Sequence, residues 1–207
     1  MAAPDDLSIK SLNNTTWAAN KTLSGDSDAV LTLQGVHYLL RTILGAAQIT
    51  VGIKQWDDPT TGTTHLEMEN NIAYAYGLPG VTDTYVTDFS PKEYYDTIFG
   101  NVRDRARWVR VNELRDAFQK EAWAEETEVL ELWTDHLDVG ASTSQVCGFE
   151  VVEGERRYTR RLVVSKGEDV LRVRLVFDYV GQRQGDDSEE VEGESVGAST
   201  NTQELEA

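Results

Sequence analysis

Residues 156–179, RRYTRRLVVSKGEDVLRVRLVFDY, set the fold class. Two runs rich in Val, Leu and aromatic residues flank Lys166-Gly167, a link short enough for a tight hairpin, and within each run apolar and charged residues alternate with the period of a strand. Folding the stretch about Lys166-Gly167 sets Leu162 opposite Leu171, Arg160 opposite Val173, and Tyr158 opposite Leu175, as an inward face. The other face collects Arg157, Arg161, Arg172 and Arg174. Mixed with valines and surrounded by acids, that row reads as a solvated face laced with ion pairs, and an anion site is the alternative.

Outward from this hairpin the period of two persists. Ile49, Val51, Ile53 and Gln55 share one face. The turn formers of residues 57–62 lead into Leu66, Met68, Asn70, Ile72, Tyr74 and Tyr76. Tyr85, Thr87 and Phe89 form a further strand, Val102, Ala106 and Trp108 alternate with Arg103, Arg105 and Arg107, and more strands are expected at about 128–137 and 146–152. Thr15-Thr16-Trp17 opens the first strand. One region breaks the period: in residues 24–45, Val36, Leu39, Leu40, Ile43 and Leu44 make one helical stripe, with Gly35 splitting two short helices and Gly45 as a stop. His37 and Arg41 fall on its polar side. Asn112 is a candidate cap for a short helix through Lys120. The sum is mainly β: a closed antiparallel barrel of eight to ten strands, a helical pair after the first strand, and an interior able to hold one small ligand. Strands do not alternate with helices and no phosphate-cradling glycine motif occurs, which excludes a doubly wound fold.

The chain has 207 residues, 36 acidic against 19 basic, and a net charge of −17. That balance argues against nucleic acid and anionic membranes as partners. No apolar run approaches a membrane span, so no membrane insertion is expected, and a single cysteine with no leader-like N-terminus suggests a cytoplasmic protein. Residues 1–11 read as an N-terminal arm, 12–183 as the barrel domain, and 184–207 as an acidic disordered tail. His37, His65 and His136 lack metal-pair spacing, no G-x-S-x-G nucleophile motif is present, and Cys147 reads as a small core residue. Neither a metal nor a cofactor is expected.

Three longer segments, residues 12–35 (LNNTTWAANKTLSGDSDAVLTLQG), 98–109 (IFGNVRDRARWV) and 148–179 (GFEVVEGERRYTRRLVVSKGEDVLRVRLVFDY), carry a resemblance. Their order, a strand with a Trp followed by a helical pair and then strands, is similar to the calycin group of lipocalins and fatty-acid-binding proteins. More closely, they resemble a family of small fungal lipocalin-like proteins, mostly uncharacterised. Larger fungal lipocalin-like proteins include cofactor-free cyclases, among them enzymes that guide Diels–Alder reactions, and the resemblance implies such chemistry by analogy. Residues 70–80 (NNIAYAYGLPG), followed by Tyr85, Phe89, Tyr94 and Tyr95, depart from the family pattern and add aromatics to a pocket wall.

Alternation points Gln55, Asn70, Tyr74, Tyr158, Arg160 and either Thr134 or His136 inward, a sparse polar set in an apolar interior, as ligand pockets require. Arg160, Asn70 and Tyr74 are the catalytic candidates. Gln55, Met68, Tyr76, Trp108, His136, Phe149, Tyr158, Val173 and Leu175 are expected to line the pocket around a hydrophobic small molecule. Arg160 either grips a carbonyl or carboxylate, or reaches water at the barrel end. Two functions follow: steering a cyclisation or isomerisation of a secondary-metabolite intermediate, or carrying an apolar metabolite without catalysis.

Overall fold

The computed structural model describes residues 1–73, 80–124 and 127–183. Tyr74, Tyr76 and the acidic segment 184–207 lie outside them. Ten strands form one antiparallel sheet: β1 (Thr15–Ala19), β2 (Gln48–Asp57), β3 (Thr64–Ala73), β4 (Val81–Val86), β5 (Lys92–Asp96), β6 (Gly100–Arg110), β7 (Glu128–His136), β8 (Ala141–Val152), β9 (Glu155–Lys166) and β10 (Asp169–Gln182). Helices α1 (Ser27–Leu33) and α2 (Tyr38–Ala46) follow β1, and a short α3 (Ala117–Lys120) follows a 3-10 turn after β6. Among the described residues no helix is long and apolar enough to cross a membrane.

The hairpin expected from residues 156–179 forms with the expected inner face and a shifted register. Lys166 pairs with Asp169, so the two turn residues are Gly167 and Glu168. Leu162 therefore faces Val173, Arg160 faces Leu175, and Tyr158 faces Phe177. The positive φ of 59° at Gly167 explains the shift, because the first central position of a two-residue hairpin turn requires positive φ, so the turn starts at Gly167, one residue later than the sequence suggests. A slip of two in partner keeps every side chain on its face.

Closure of the barrel does not occur. The strand order runs β4-β3-β2-β1-β10-β9-β8-β7-β6-β5, leaving β4 and β5 as unpaired edges. Beyond β4 the chain leaves its extended path at Phe89, whose φ is +61°, and Pro91 then offers no N–H. Across this seam run the Asp88–Arg107 bridge, a bond from the Phe89 N–H to the Ala106 carbonyl at 2.9 Å, and one from the Lys92 ammonium to the Thr84 hydroxyl at 2.6 Å. The result is an open barrel.

Its two ends differ. At the end where β2 runs into β3, Leu7, Ile9 and Leu12 from the N-terminal residues pack with Trp17, Leu66, Phe149 and Tyr158 into the main core. Arg156 fastens this plug by donating to the Pro4 and Leu7 carbonyls at 2.9 and 2.7 Å. At the other end α1 lays Val30 and Leu33 over Leu162, Val164, Val173 and Leu175. The predicted helical stripe is only partly buried: Val36 and Leu44 are covered, whereas Leu39 is 62% exposed, because α2 touches the barrel along a narrower line than its apolar face. Gly45 lies inside α2, and Asp116, not Asn112, caps α3 with an Oδ1 to Phe118 N–H bond of 3.0 Å.

Gly35 separates α1 and α2 at φ +84°, and a Cβ there would stand 2.6 Å from the Val139 Cγ1. Left-handed strain and this clash act together, so Gly35→Ala is expected to cost about 1–3 kcal/mol. A thermal melt indistinguishable from that of the parent protein would mean the helical pair is not seated against Val139.

Candidate active site

Strand alternation places Arg160 in the middle of β9 with its side chain on the inner face, and it is only 8% exposed. Its Nε donates to the Tyr158 hydroxyl at 3.2 Å, and Nη2 lies 3.7 Å from the Met68 sulfur. The guanidinium also lies over the Phe177 ring, 4.9 Å from its centroid. Among the described residues no carboxylate stands within ion-pair distance of it. A buried guanidinium normally has its charge matched. Here aromatic faces and a phenol hydroxyl stand in for a counter-ion.

Within reach of the Arg160 charge lies a group of strands with a different composition from the apolar cluster of Leu162, Val173 and Leu175. Asn70 on β3 donates from Nδ2 to Asp83 of β4 at 2.9 Å. Asp104 of β6 accepts from the Tyr94 hydroxyl of β5 at 2.7 Å, and Asp96 caps the turn after β5 by accepting from the Ile98 and Phe99 N–H groups, both at 2.7 Å. Burial pushes the Asp83 carboxyl up to about 6, helped by the charges of Asp96 and Asp104 and resisted by Arg160 and Asn70. Burial also raises Asp104 and, with the neighbouring carboxylates, keeps the Tyr85 and Tyr94 phenols firmly protonated.

The sequence-predicted residues divide into three groups. Arg160, Met68, Tyr158, Val173 and Leu175 come together around the middle of β9 and β10, and Asn70 belongs to the acidic group of strands. His136 is buried near the helical end, bonded through Nε2 to the Thr143 hydroxyl at 3.1 Å, which also accepts from Gln34 at 2.9 Å. Burial holds its imidazole below the usual range. Gln55, Trp108 and Phe149 instead sit at the plugged end: Trp108 donates to the Thr64 hydroxyl at 3.0 Å, and Phe149 packs edge-on to Trp17 at 5.9 Å. Packing against the N-terminal residues accounts for all three. Tyr74 and Tyr76 lie outside the described residues. Tyr85 and Tyr94 were expected as aromatics of a pocket wall, whereas Asp83, Asp96 and Asp104 were not anticipated, although Asp104 shares the parity of Val102 and Ala106.

No family model matches the chain. Two curated proteins do. It is 35% identical over 188 residues to the pericyclase pydY of Acremonium sp, covering 89% of this chain and all of that protein. It is 38% identical over 183 residues to the probable pericyclase scpY of Mollisia scopiformis, covering 87% of this chain and 95% of that one. The chain belongs to this fungal pericyclase family. The lipocalin-like resemblance thus led to the right relatives, but they carry a named activity and are not uncharacterised. Among solved structures, a fatty-acid-binding protein from Drosophila melanogaster is similar at a TM-score of 0.50 and 11% identity, over 81% of this chain and 98% of that one. That likeness concerns the barrel alone.

In this pericyclase fold the acidic wall has a measurable cost. A carboxyl raised from an unfolded value of 3.8 to about 6 stabilises the folded state most below the lower value, and that contribution is lost as pH rises through the upper one. Asp83→Asn keeps the acceptor for Asn70 and removes the charge. It is therefore expected to stabilise the fold by roughly 1–3 kcal/mol at mildly alkaline pH and to change nothing near pH ~3. Equal stability of variant and parent across that range would show that Asp83 is not buried against its neighbours.

Proposed function

We propose that the chain steers a pericyclic cyclisation of a flexible, apolar secondary-metabolite intermediate, without a cofactor and within the cytoplasm. A pericyclic step moves only electron pairs, so substrate and product share one composition and the protein supplies neither redox equivalents nor a nucleophile. What it supplies is confinement and polarisation. The Leu162, Val173 and Leu175 wall, roofed by α1, favours a folded chain with its reacting ends together, a term worth several kcal/mol in well-oriented reactions. Arg160 donates to a conjugated carbonyl of the substrate and draws electron density from the acceptor π-system as the new bonds form. Asn70 and Tyr74 complete the polar contacts in this reading.

The carrying observation is Arg160: a buried guanidinium on the inner face with no carboxylate partner among the described residues. A pure carrier of an apolar metabolite has no need of it. The deciding experiment incubates a linear polyene precursor bearing a conjugated carbonyl with and without the purified protein. A faster reaction with a narrowed set of stereoisomers is expected. An identical rate and isomer ratio in both arms would leave only the carrier reading.

A further inference from the structure

The open seam does more than interrupt the barrel. A cleft of about 360 Å³ enters the molecule between β4 and β6. Its outer rim includes Trp56, Thr84 and Val86, and its inner surface is made by Leu66, Tyr85, Ala106 and Asp104, residues whose parity places them on the inner face, with Lys92 sharing the parity of Asp104. A cleft lined by both faces of a sheet passes through the wall. Its volume lies at the lower end of the range for small-molecule sites.

The charges around it are almost all matched. The Lys92 ammonium donates to Thr84 and lies over the Tyr94 ring, 5.6 Å from its centroid. Arg105 turns to Asp135 at 3.2 Å, Glu67 faces Lys54 at 3.8 Å, and Asp88 accepts from the Ser90 N–H at 2.8 Å. His65 stacks on Trp56 at 5.4 Å with its Nε2 4.0 Å from Asp58. Asp104 is the exception. It is 4% exposed and its Oδ2 accepts from Tyr94; the Thr134 hydroxyl across the ladder also leans on the carboxylate, but Oδ1 has no hydrogen bond of good geometry among the described residues, and the carboxylate has no ion-pair partner there. A desolvated carboxylate oxygen left unpaired is costly, and the group that relieves it is a hydrogen-bond donor, best of all a cationic one. Asp83 and Asp96 raise the negative potential of the same wall and disfavour an anion.

We propose that this seam is a recognition subsite in which Asp104 accepts a hydrogen bond from a nitrogen-borne head group, an amine or amide N–H, of the substrate. Tyr94 is its positioning residue: its hydroxyl holds Oδ2, so that Oδ1 is the atom that an entering head group must uncover. The inference deepens the cyclisation reading and rests on its assumption that substrate enters the barrel. Arg160 and Asp104 then hold a carbonyl and an N–H of one molecule, and their separate strands fix its orientation.

The test uses the full chain and two probes of equal chain length, dodecylammonium and dodecanoate, with affinities read by calorimetry. The parent protein is expected to bind the ammonium at Asp104 and the dodecanoate at Arg160. Asp104→Asn, of the same shape, should lose at least tenfold in ammonium affinity with dodecanoate unchanged or tighter. Thr84→Trp, an exposed rim substitution that leaves the carboxylate in place, should weaken ammonium binding by obstructing the cleft. An ammonium affinity indifferent to both variants, or lost equally for dodecanoate in Asp104→Asn, would overturn the subsite. The assay needs no turnover, so its failure leaves the cyclisation reading intact, and failure of cyclisation with a linear precursor leaves the ammonium site standing.

Discussion

Replacing Arg160 by methionine is expected to lower kcat/KM for the linear precursor by about a hundredfold and to move the isomer ratio toward that of the reaction without protein. Loss of one preorganised donor in a desolvated site typically costs on the order of a hundred- to a thousandfold in rate. Methionine retains length and fills similar space, so the apolar confinement survives and the loss reports polarisation. The control lies in stability. Because no carboxylate pairs with Arg160 among the described residues, its removal strands no anion of its own, and replacing a desolvated charge by a packed apolar group is often neutral or stabilising. The variant should therefore melt at or above the parent temperature while losing activity. Arg160→Lys keeps the charge, loses the planar fork, and should recover only part of the rate. Turnover within threefold of the parent in Arg160→Met would remove this residue from the chemistry.

Such a site was legible in the sequence only as far as parity could carry it. The alternation through residues 156–179 set Arg160, Tyr158 and Leu162 on one face, and that face is the inner one whichever register the turn adopts. The same rule applied to residues 102–108 puts Asp104 beside Val102 and Ala106, but three intervening arginines made the strand look polar outside and apolar inside, and hid an acid of the inner set. Asp83 was obscured for another reason. In β4 alternate residues are only half-buried, so the contrast that reveals a strand's inner face is weak at the open edge. Closure was overestimated because a meander of ten strands has enough material to close. Whether it does depends on one kink at Phe89 and the proline beyond it, a local backbone event without periodic signature. Gln55, Trp108 and Phe149 have the expected parity and the wrong end of the barrel, since alternation gives the face of a strand and says nothing of depth along it.

The arginine row on the outer face leads to the second large expected effect. Arg161 was read with Arg157, Arg172 and Arg174 as solvated, yet it is 4% exposed, and its partner Glu150 is completely buried. The reason is the segment between β6 and β7, which folds back over the sheet. Phe118 and Trp123 cover the pair, with the Arg161 guanidinium 4.7 Å from the Phe118 ring centroid, and Gln119 donates to the Ser144 and Arg161 carbonyls at 3.0 and 3.1 Å. Glu150 accepts from Arg161 through both Nε and Nη2, at 2.7 and 3.0 Å, and from the Thr159 hydroxyl at 2.8 Å, with Arg174 at 3.5 Å. Glu150→Ala leaves the Arg161 charge desolvated with only the more distant, exposed Glu121 at 3.7 Å. A buried pair broken from one side costs about 3–5 kcal/mol. For a folded region of this size that corresponds to a fall in Tm of about 6–20 °C. Truncating both partners separates the causes: in Glu150→Leu with Arg161→Met no charge is stranded, and most of the stability should return. Glu150→Ala melting within a degree or two of the parent would show that water reaches the pair and that the covering segment opens. A double variant no more stable than Glu150→Ala would assign the loss to packing beneath Phe118 and Trp123 instead of to charge.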